Sequence, residues 1–432
     1  MKKISSIAIK YPFAITALVC LVFYLLPFKP KPFGDGEYHE GTIQLIQFVR
    51  DGFQGNVRVD KGLFTLFYFF IPYALVFYFK SKAAFFAAGI IFNALVTCIA
   101  IKYLFRAFDA MRFSDNSKFI VLVLLNLFPI HVYYAFGITA EAASFCAICL
   151  FVFLWSRMAI SKDYSAKNFI LLALLVTAFI GMRPNMIPFG AALLIFVLLM
   201  KISISSKFAF ATVMLTALFL LVAAENVLNN SDGDFKKKVF RYQLVWSRFE
   251  LRDEPLNWLP QHGQDAFASS DYLNNLKKRQ ELDSICEVNN YDKTTYFVNW
   301  VKDDIIQNPG MTIRQYFLKF FQAQSFIISP LMKSDKSTFV KYAVHIYINL
   351  INYVLVFLSL LGIYKAMKEK QFTLFIPLLL LWAWSLVYIF LFHSEQRYMF
   401  AVRPVVVFLA IFFIDGLSRK ATSKKKYENS TQ

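Results

Sequence analysis

Apolar runs broken by short charged turns dominate the chain. They cover residues 11–28, 83–101, 119–136, 141–155, 169–182, 185–200, 208–224, 342–364, 372–392 and 399–414. A helix crossing a bilayer core needs about 20 apolar residues. In lipid only a helix or a closed barrel satisfies its own backbone, and runs this continuous lack the alternation of barrel strands. The pattern predicts an all-α polytopic membrane protein. One further run, 62–79, is apolar and aromatic but interrupted by Pro72, and could cross the membrane or lie along its surface.

Charge decides between the two. If 62–79 does not cross, Lys102, Arg106, Arg112 and Lys118 share the side of Lys2 and Lys3, together with Arg157, Lys162, Lys201, Lys207, Lys365, Lys368 and the Lys424–Lys426 tail. That arrangement follows the positive-inside bias throughout. It gives about ten crossings with both termini cytoplasmic and a surface helix in the first outer loop. The expected organisation is a first transmembrane helix at 1–28, an outer loop at 29–82, helices two to seven at 83–225, a large, mostly helical extracytoplasmic region at 226–341, helices eight to ten at 342–416, and a disordered basic tail at 417–432. Within the outer region, 311–324 reads as an amphipathic, aromatic helix of the kind that lies on a bilayer.

Composition adds little. The chain is 58% hydrophobic, above the roughly 45–50% of soluble domains. The net charge of +18 sits at the ends of apolar runs and indicates topology, not nucleic acid. The N-terminal run lacks a small-residue cleavage site and reads as a retained helix. The five cysteines form no disulfide framework. Cys146 and Cys149 have C-x-x-C spacing, but in an apolar helix without a second ligand pair.

Candidate chemistry lies on the outer side. Asp35, Glu37, His39 and Glu40 follow the first helix, set among Gly34, Gly36 and Gly41; glycine permits sharp turns and close approach to a ligand. Glu141 opens a helix, where the dipole favours a carboxylate and capping alone would also explain it. Arg183-Pro184 breaks a long apolar stretch. His393, Glu395 and Arg397 alternate, with Tyr398 next. Charges beside a membrane helix are costly without a role, and the arginine fork matches phosphate. Lys61 precedes the surface helix and can meet a phosphate or a lipid headgroup.

These motifs together resemble the GT-C glycosyltransferases, multi-spanning enzymes that use lipid-linked sugar donors. The resemblance rests on the acidic first loop with its surface helix, on Phe128-Pro129, Tyr133-Tyr134 and Thr139-Ala140-Glu141, on Met182-Arg183-Pro184, and on His393-x-Glu395-x-Arg397-Tyr398. The last is similar to the His-x-Glu-x-Arg-aromatic motif of lipid-linked mannosyltransferases. The chain departs from the pattern in carrying Asp35-x-Glu37 where many members have paired aspartates, and in a proline displaced to Pro404. The resemblance implies an inverting sugar transfer from a polyprenyl-phosphate donor to a glycolipid, glycan or protein acceptor on the extracytoplasmic face of a cell membrane; the high Lys, Phe and Ile content with few Cys points to a bacterial inner membrane. Asp35 is then the base, with Glu37 second. Arg183, Arg397 and His393 serve the leaving phosphate, and Glu395 orients Arg397. Tyr398, His39, Glu40, Glu141 and Lys61 complete the substrate set. Whether a metal is needed stays open; a divalent Mg or Mn would fall to Asp35 and Glu37. The alternatives are a polysaccharide polymerase or ligase using a lipid-linked oligosaccharide, and a lipid-linked sugar transporter or flippase.

Overall fold

The computed structural model describes residues 2–25, 33–34, 36–55, 57, 59, 62–127, 130–228, 234–252, 270–325, 337–392 and 396–430. The chain divides into two compact units. One comprises Met1–Asn230, Val354–Trp384 and Phe400–Gln432; the other comprises Ser231–Tyr353 and Ser385–Met399.

The first unit is a helical bundle. It begins with α1 (Lys2–Lys10) and α2 (Pro12–Leu25), then a short strand β1 (Phe33–Gly34), α3 (Gly36–Arg50) and α4 (Leu63–Val76). There follow α5 (Lys82–Ala110), α6 (Asp115–Leu127), α7 (Ile130–Ala135), the strand β2 (Gly137–Ile138), α8 (Glu141–Ser161), α9 (Ala166–Met182), α10 (Ile187–Leu199) and α11 (Ile204–Leu228). Helix α5 packs along α8, and α9 lies between α8 and α11. Among the described residues five helices are long and apolar enough to cross a membrane: α5, α8, α11, and two later ones, α16 (Thr338–Lys368) and α17 (Phe372–Leu391). Shorter apolar helices include α2, α4 with its 3-10 extension, α9 and α10.

The buried faces explain why α3 and α4 pair. Leu63, Leu66, Phe69 and Tyr73 recur on one side of α4 and pack with Tyr38, Leu45 and Ile46 of α3 in one core. Burying each such side chain stabilises by about 1.5–3 kcal/mol. On the opposite side of α4, Phe67, Ile71 and Leu75 are exposed at four-residue spacing, an apolar stripe suited to lipid. Helix α11 likewise exposes Phe208, Leu215, Phe219 and Val222.

Three elements differ from the expected pattern. Helix α3 starts at Gly36, where the glycines suggested an open loop. Packing of Tyr38 and Thr42 into the core outweighs the low helix propensity of glycine. The run 119–136 is divided between α6 and α7, with Pro129 between them and outside the described residues. The basic tail, expected to be disordered, continues the last helix, α19 (Arg403–Ser430). Its lysines and alanine are good helix formers, and Pro404 stands in the first turn, where proline is tolerated.

The second unit holds α12 (Asp234–Phe249), α13 (Ser270–Asn289), α14 (Lys293–Gln307) and α15 (Pro309–Gln324), followed by the start of α16, the end of α17 and the short α18 (Gln396–Phe400) up to Met399. Its core is Val245, Leu282, Cys286 and Phe297. Asp292 caps α14 by accepting from the Thr295 amide at 2.7 Å, worth about 1 kcal/mol. Helix α15 turns Thr312, Gln315 and Lys319 inward and exposes Ile313 and Phe317.

Candidate active site

Two short strands hold the first outer segment in place. Phe33 and Gly34 pair in parallel with Gly137 and Ile138. The chain just before Asp35 is thereby tied to the chain just before Glu141. Further on, the segment entering α4 lies against the end of α9. Gly62 has φ +115°, and a Cβ there would stand 2.6 Å from the Gly181 carbonyl and 2.9 Å from that of Met182. Only glycine combines that backbone angle with that approach. The Val57 amide donates to the Leu228 carbonyl at 3.1 Å. The first outer segment is therefore docked on the residues that lead into Arg183.

Arg183 itself is buried. Its Nη2 donates to Glu141 Oε1 at 2.9 Å, and its Nε donates to Ser144 Oγ at 3.1 Å. Both members of the ion pair are about nineteen-twentieths shielded, with side-chain exposures of 5% and 4%. Pro184 explains the position of Arg183: α9 ends at Met182 and a 3-10 turn, Pro184–Met186, follows, so the guanidinium leaves the helix at its terminus. Glu141 starts α8, and residues three apart on a helix share a face, which brings Ser144 to the same guanidinium. The sequence named Glu141 and Arg183 separately, and the structure joins them. Ser144 was not singled out, since serine in an apolar helix gives no signal of its own.

His39 is buried as well. Its Nδ1 lies 3.0 Å from the Tyr73 hydroxyl, which donates to it when the ring is neutral. The ring stacks on Phe86 at 5.2 Å and meets Phe85 edge-on. Burial, and secondarily the Lys82 charge, hold His39 below its ordinary value, with Glu40 opposing. His39 thus belongs to the core of the outer segment, whereas Glu40 is exposed. Asp35, Lys61, His393 and Glu395 lie outside the described residues. Glu37 and Arg397 fall within α3 and α18, but their side chains lie outside the described set. Tyr398 is half-buried and meets Tyr388 edge-on at 5.2 Å. Phe400 sits against Tyr134 at 4.3 Å and stacks on Phe145 at 5.1 Å. Among the described residues no three His, Cys, Asp or Glu side chains gather as metal ligands.

In the second unit a buried polar network reaches the end of α17. Arg248 donates to Asp304 Oδ2 at 2.7 Å and to Thr312 Oγ1 at 2.8 Å. Lys319, fully buried, donates to the Ser247 carbonyl at 2.9 Å and to those of Phe390 and Phe392 at 3.3 and 3.4 Å. Phe390 lies in the last turn of α17 and Phe392 just beyond its end. An ammonium at a helix C-terminus satisfies orphan carbonyls and suits the dipole. Burial pushes Lys319 down to about 8, partly opposed by Glu250 at 3.5 Å.

Residues 342–431 match the Alg9-like mannosyltransferase family. The matched stretch contains His393, Glu395, Arg397 and Tyr398, the motif on which the resemblance to the GT-C enzymes most depended, and bears that resemblance out. Among solved structures, the chain is similar to the Archaeoglobus fulgidus oligosaccharyltransferase tethered with an acceptor peptide, at 11% identity and a TM-score of 0.47 over 92% of this chain and 48% of that one. The chain spans about half the length of that protein. No curated protein matches the chain in sequence.

Proposed function

We propose that the protein is a membrane glycosyltransferase of the GT-C type that moves a sugar from a polyprenyl-phosphate donor to a glycan, glycolipid or protein acceptor on the extracytoplasmic face. The observation that carries this reading is the family match over 342–431, which encloses the His-x-Glu-x-Arg-Tyr motif. In the proposed step an acceptor hydroxyl attacks the anomeric carbon. The new carbon–oxygen bond forms as the bond to the phosphate oxygen breaks, so the configuration inverts. The acceptor proton passes to Asp35, or to Glu37 in its place. A positioned base contributes about 10²–10⁴-fold. The lipid phosphate leaves with its negative charge, which Arg397 and His393 stabilise as fixed cations. Arg183, paired with Glu141, is the third cation assigned to that phosphate. A divalent Mg or Mn, if bound, would be held by Asp35 and Glu37.

The test is to supply purified protein with a radiolabelled polyprenyl-phosphate monosaccharide and follow free lipid phosphate. Release that depends on an acceptor supports the proposal. Movement of intact donor across a vesicle membrane without release would identify a transporter or flippase. Turnover only of lipid-linked oligosaccharide would identify a polymerase or ligase.

A further inference from the structure

A buried asparagine on α5 holds the strand against which the first outer segment pairs. Phe85, Gly89 and Asn93 are buried at four-residue spacing on α5, so neighbouring members share a face. Phe85 meets His39 of α3 and Tyr73 of α4. Gly89 faces β2, where a Cβ would stand 2.5 Å from Ile138 Cδ1. Asn93 is fully buried and joins two elements at once. Its Oδ1 accepts from the Tyr68 hydroxyl of α4 at 2.7 Å, and its Nδ2 donates to the Gly137 carbonyl of β2 at 2.6 Å. A carbonyl only accepts, so the amino group must face Gly137 and the tyrosine must donate.

Strands β1 and β2 share only two residue pairs, Phe33 with Gly137 and Gly34 with Ile138. A lone two-stranded pairing is marginal unless it packs on something else. Helix α5 supplies that support: Gly89 leaves room for Ile138, and Asn93 takes up the Gly137 carbonyl. Asp35 follows Gly34 in the chain, and α3 opens at Gly36 and carries Glu37. Polar side chains in membrane-crossing helices bond across helices or serve function, and this one braces the strand beside both candidate bases. We propose that Asn93 is a positioning residue for sugar transfer: through Gly137 it fixes where the chain enters Asp35 and Glu37. This role rests on the reading that the first outer segment supplies the base. A shift of about 1 Å at a catalytic group costs about 10²-fold in rate.

Three variants of the full-length protein in detergent perturb the brace differently. Asn93→Leu removes both hydrogen bonds at similar volume, Tyr68→Phe removes only the bond to Asn93 Oδ1, and Gly89→Ala pushes on Ile138 without deleting a hydrogen bond. Acceptor-dependent release of lipid phosphate from a polyprenyl-phosphate monosaccharide is measured per donor-binding site, and hydrogen exchange of residues 33–34 is followed by mass spectrometry. In Asn93→Leu, kcat should fall about 10–10²-fold with donor KM within about twofold, and residues 33–34 should exchange faster. Tyr68→Phe should lose less. Leu95→Ala, on the exposed side of α5, should match the parent in both readouts. If Asn93→Leu does not fold, Gly89→Ala decides by the same two changes. An unchanged kcat per site overturns the role even where less folded protein is recovered, because Asn93 then only packs helices. A raised donor KM at unchanged kcat, or slower transfer without faster exchange at 33–34, overturns it as well; each of these leaves the enzyme reading intact, since the parent transfers sugar. A parent that releases no lipid phosphate overturns the enzyme reading and the positioning role together.

Discussion

Removing one partner of the Glu141–Arg183 pair is the perturbation with the clearest expected size. Both side chains are almost fully buried and meet at 2.9 Å. In Arg183→Met the Glu141 carboxylate keeps its burial, loses its partner, and already has Oε2 without a hydrogen bond. Breaking a buried pair from one side costs about 3–5 kcal/mol, and the second unpartnered oxygen favours the upper part of that range. Glu141→Gln leaves the guanidinium one neutral acceptor and should cost less. The double variant removes both charges, so its cost should fall short of the sum of the singles by about 1–3 kcal/mol. Arg183→Lys should not rescue, since a single ammonium cannot reproduce the fork that reaches Glu141 Oε1 and Ser144 Oγ together. The assay is unfolding in mixed micelles followed by circular dichroism, run as a double-mutant cycle. Arg183→Met within about 0.5 kcal/mol of the parent, the range of an ordinary surface substitution, would refute the reasoning. Sugar transfer should be lost in the double variant even where stability returns.

Three further outcomes follow from the geometry. Burial depresses His39, so below its ordinary value of 6.5 the unfolded chain takes up a proton that the folded chain resists. The stability it contributes is present above that pH and lost as pH falls; hydrogen exchange of α3 should rise on acidification and respond less in His39→Phe. Lys319, lowered from 10.5 to about 8, releases its proton in the folded chain first. Stability should therefore rise with pH between those values, by roughly 3 kcal/mol in all, and Lys319→Met should flatten the rise in a pH series of denaturation curves. Gly62→Ala adds a Cβ 2.6 Å from a backbone carbonyl at a left-handed angle; it should cost more than about 1 kcal/mol and lower transfer, whereas Gly55→Ala, with open space around it, should pay only for its backbone angle.

Much of the bundle was legible because lipid-spanning helices announce themselves by long apolar runs. Helix α8 begins at Glu141, α9 ends at Met182, and α15 starts at Pro309, where an acid, an Arg-Pro break and an Asn-Pro-Gly turn stood in the chain. Gly36 to Gly41 was harder, because α3 is held by long-range packing that local propensity opposes. At the site, the sequence supplied Glu141 and Arg183 but not their pairing, which joins positions 42 apart. Lys319 left no trace, because a lysine on an amphipathic helix looks solvated. The role of Lys319 emerges only from the carbonyls at the end of α17 that it reaches.

The central claim is that the first outer segment supplies the base for sugar transfer. The most direct measurement is acceptor-dependent release of polyprenyl phosphate by Asp35→Asn and Glu37→Gln, each checked for normal membrane insertion. The account predicts that one of the two falls by about 10²-fold or more while donor binding persists. Full activity in both would contradict it.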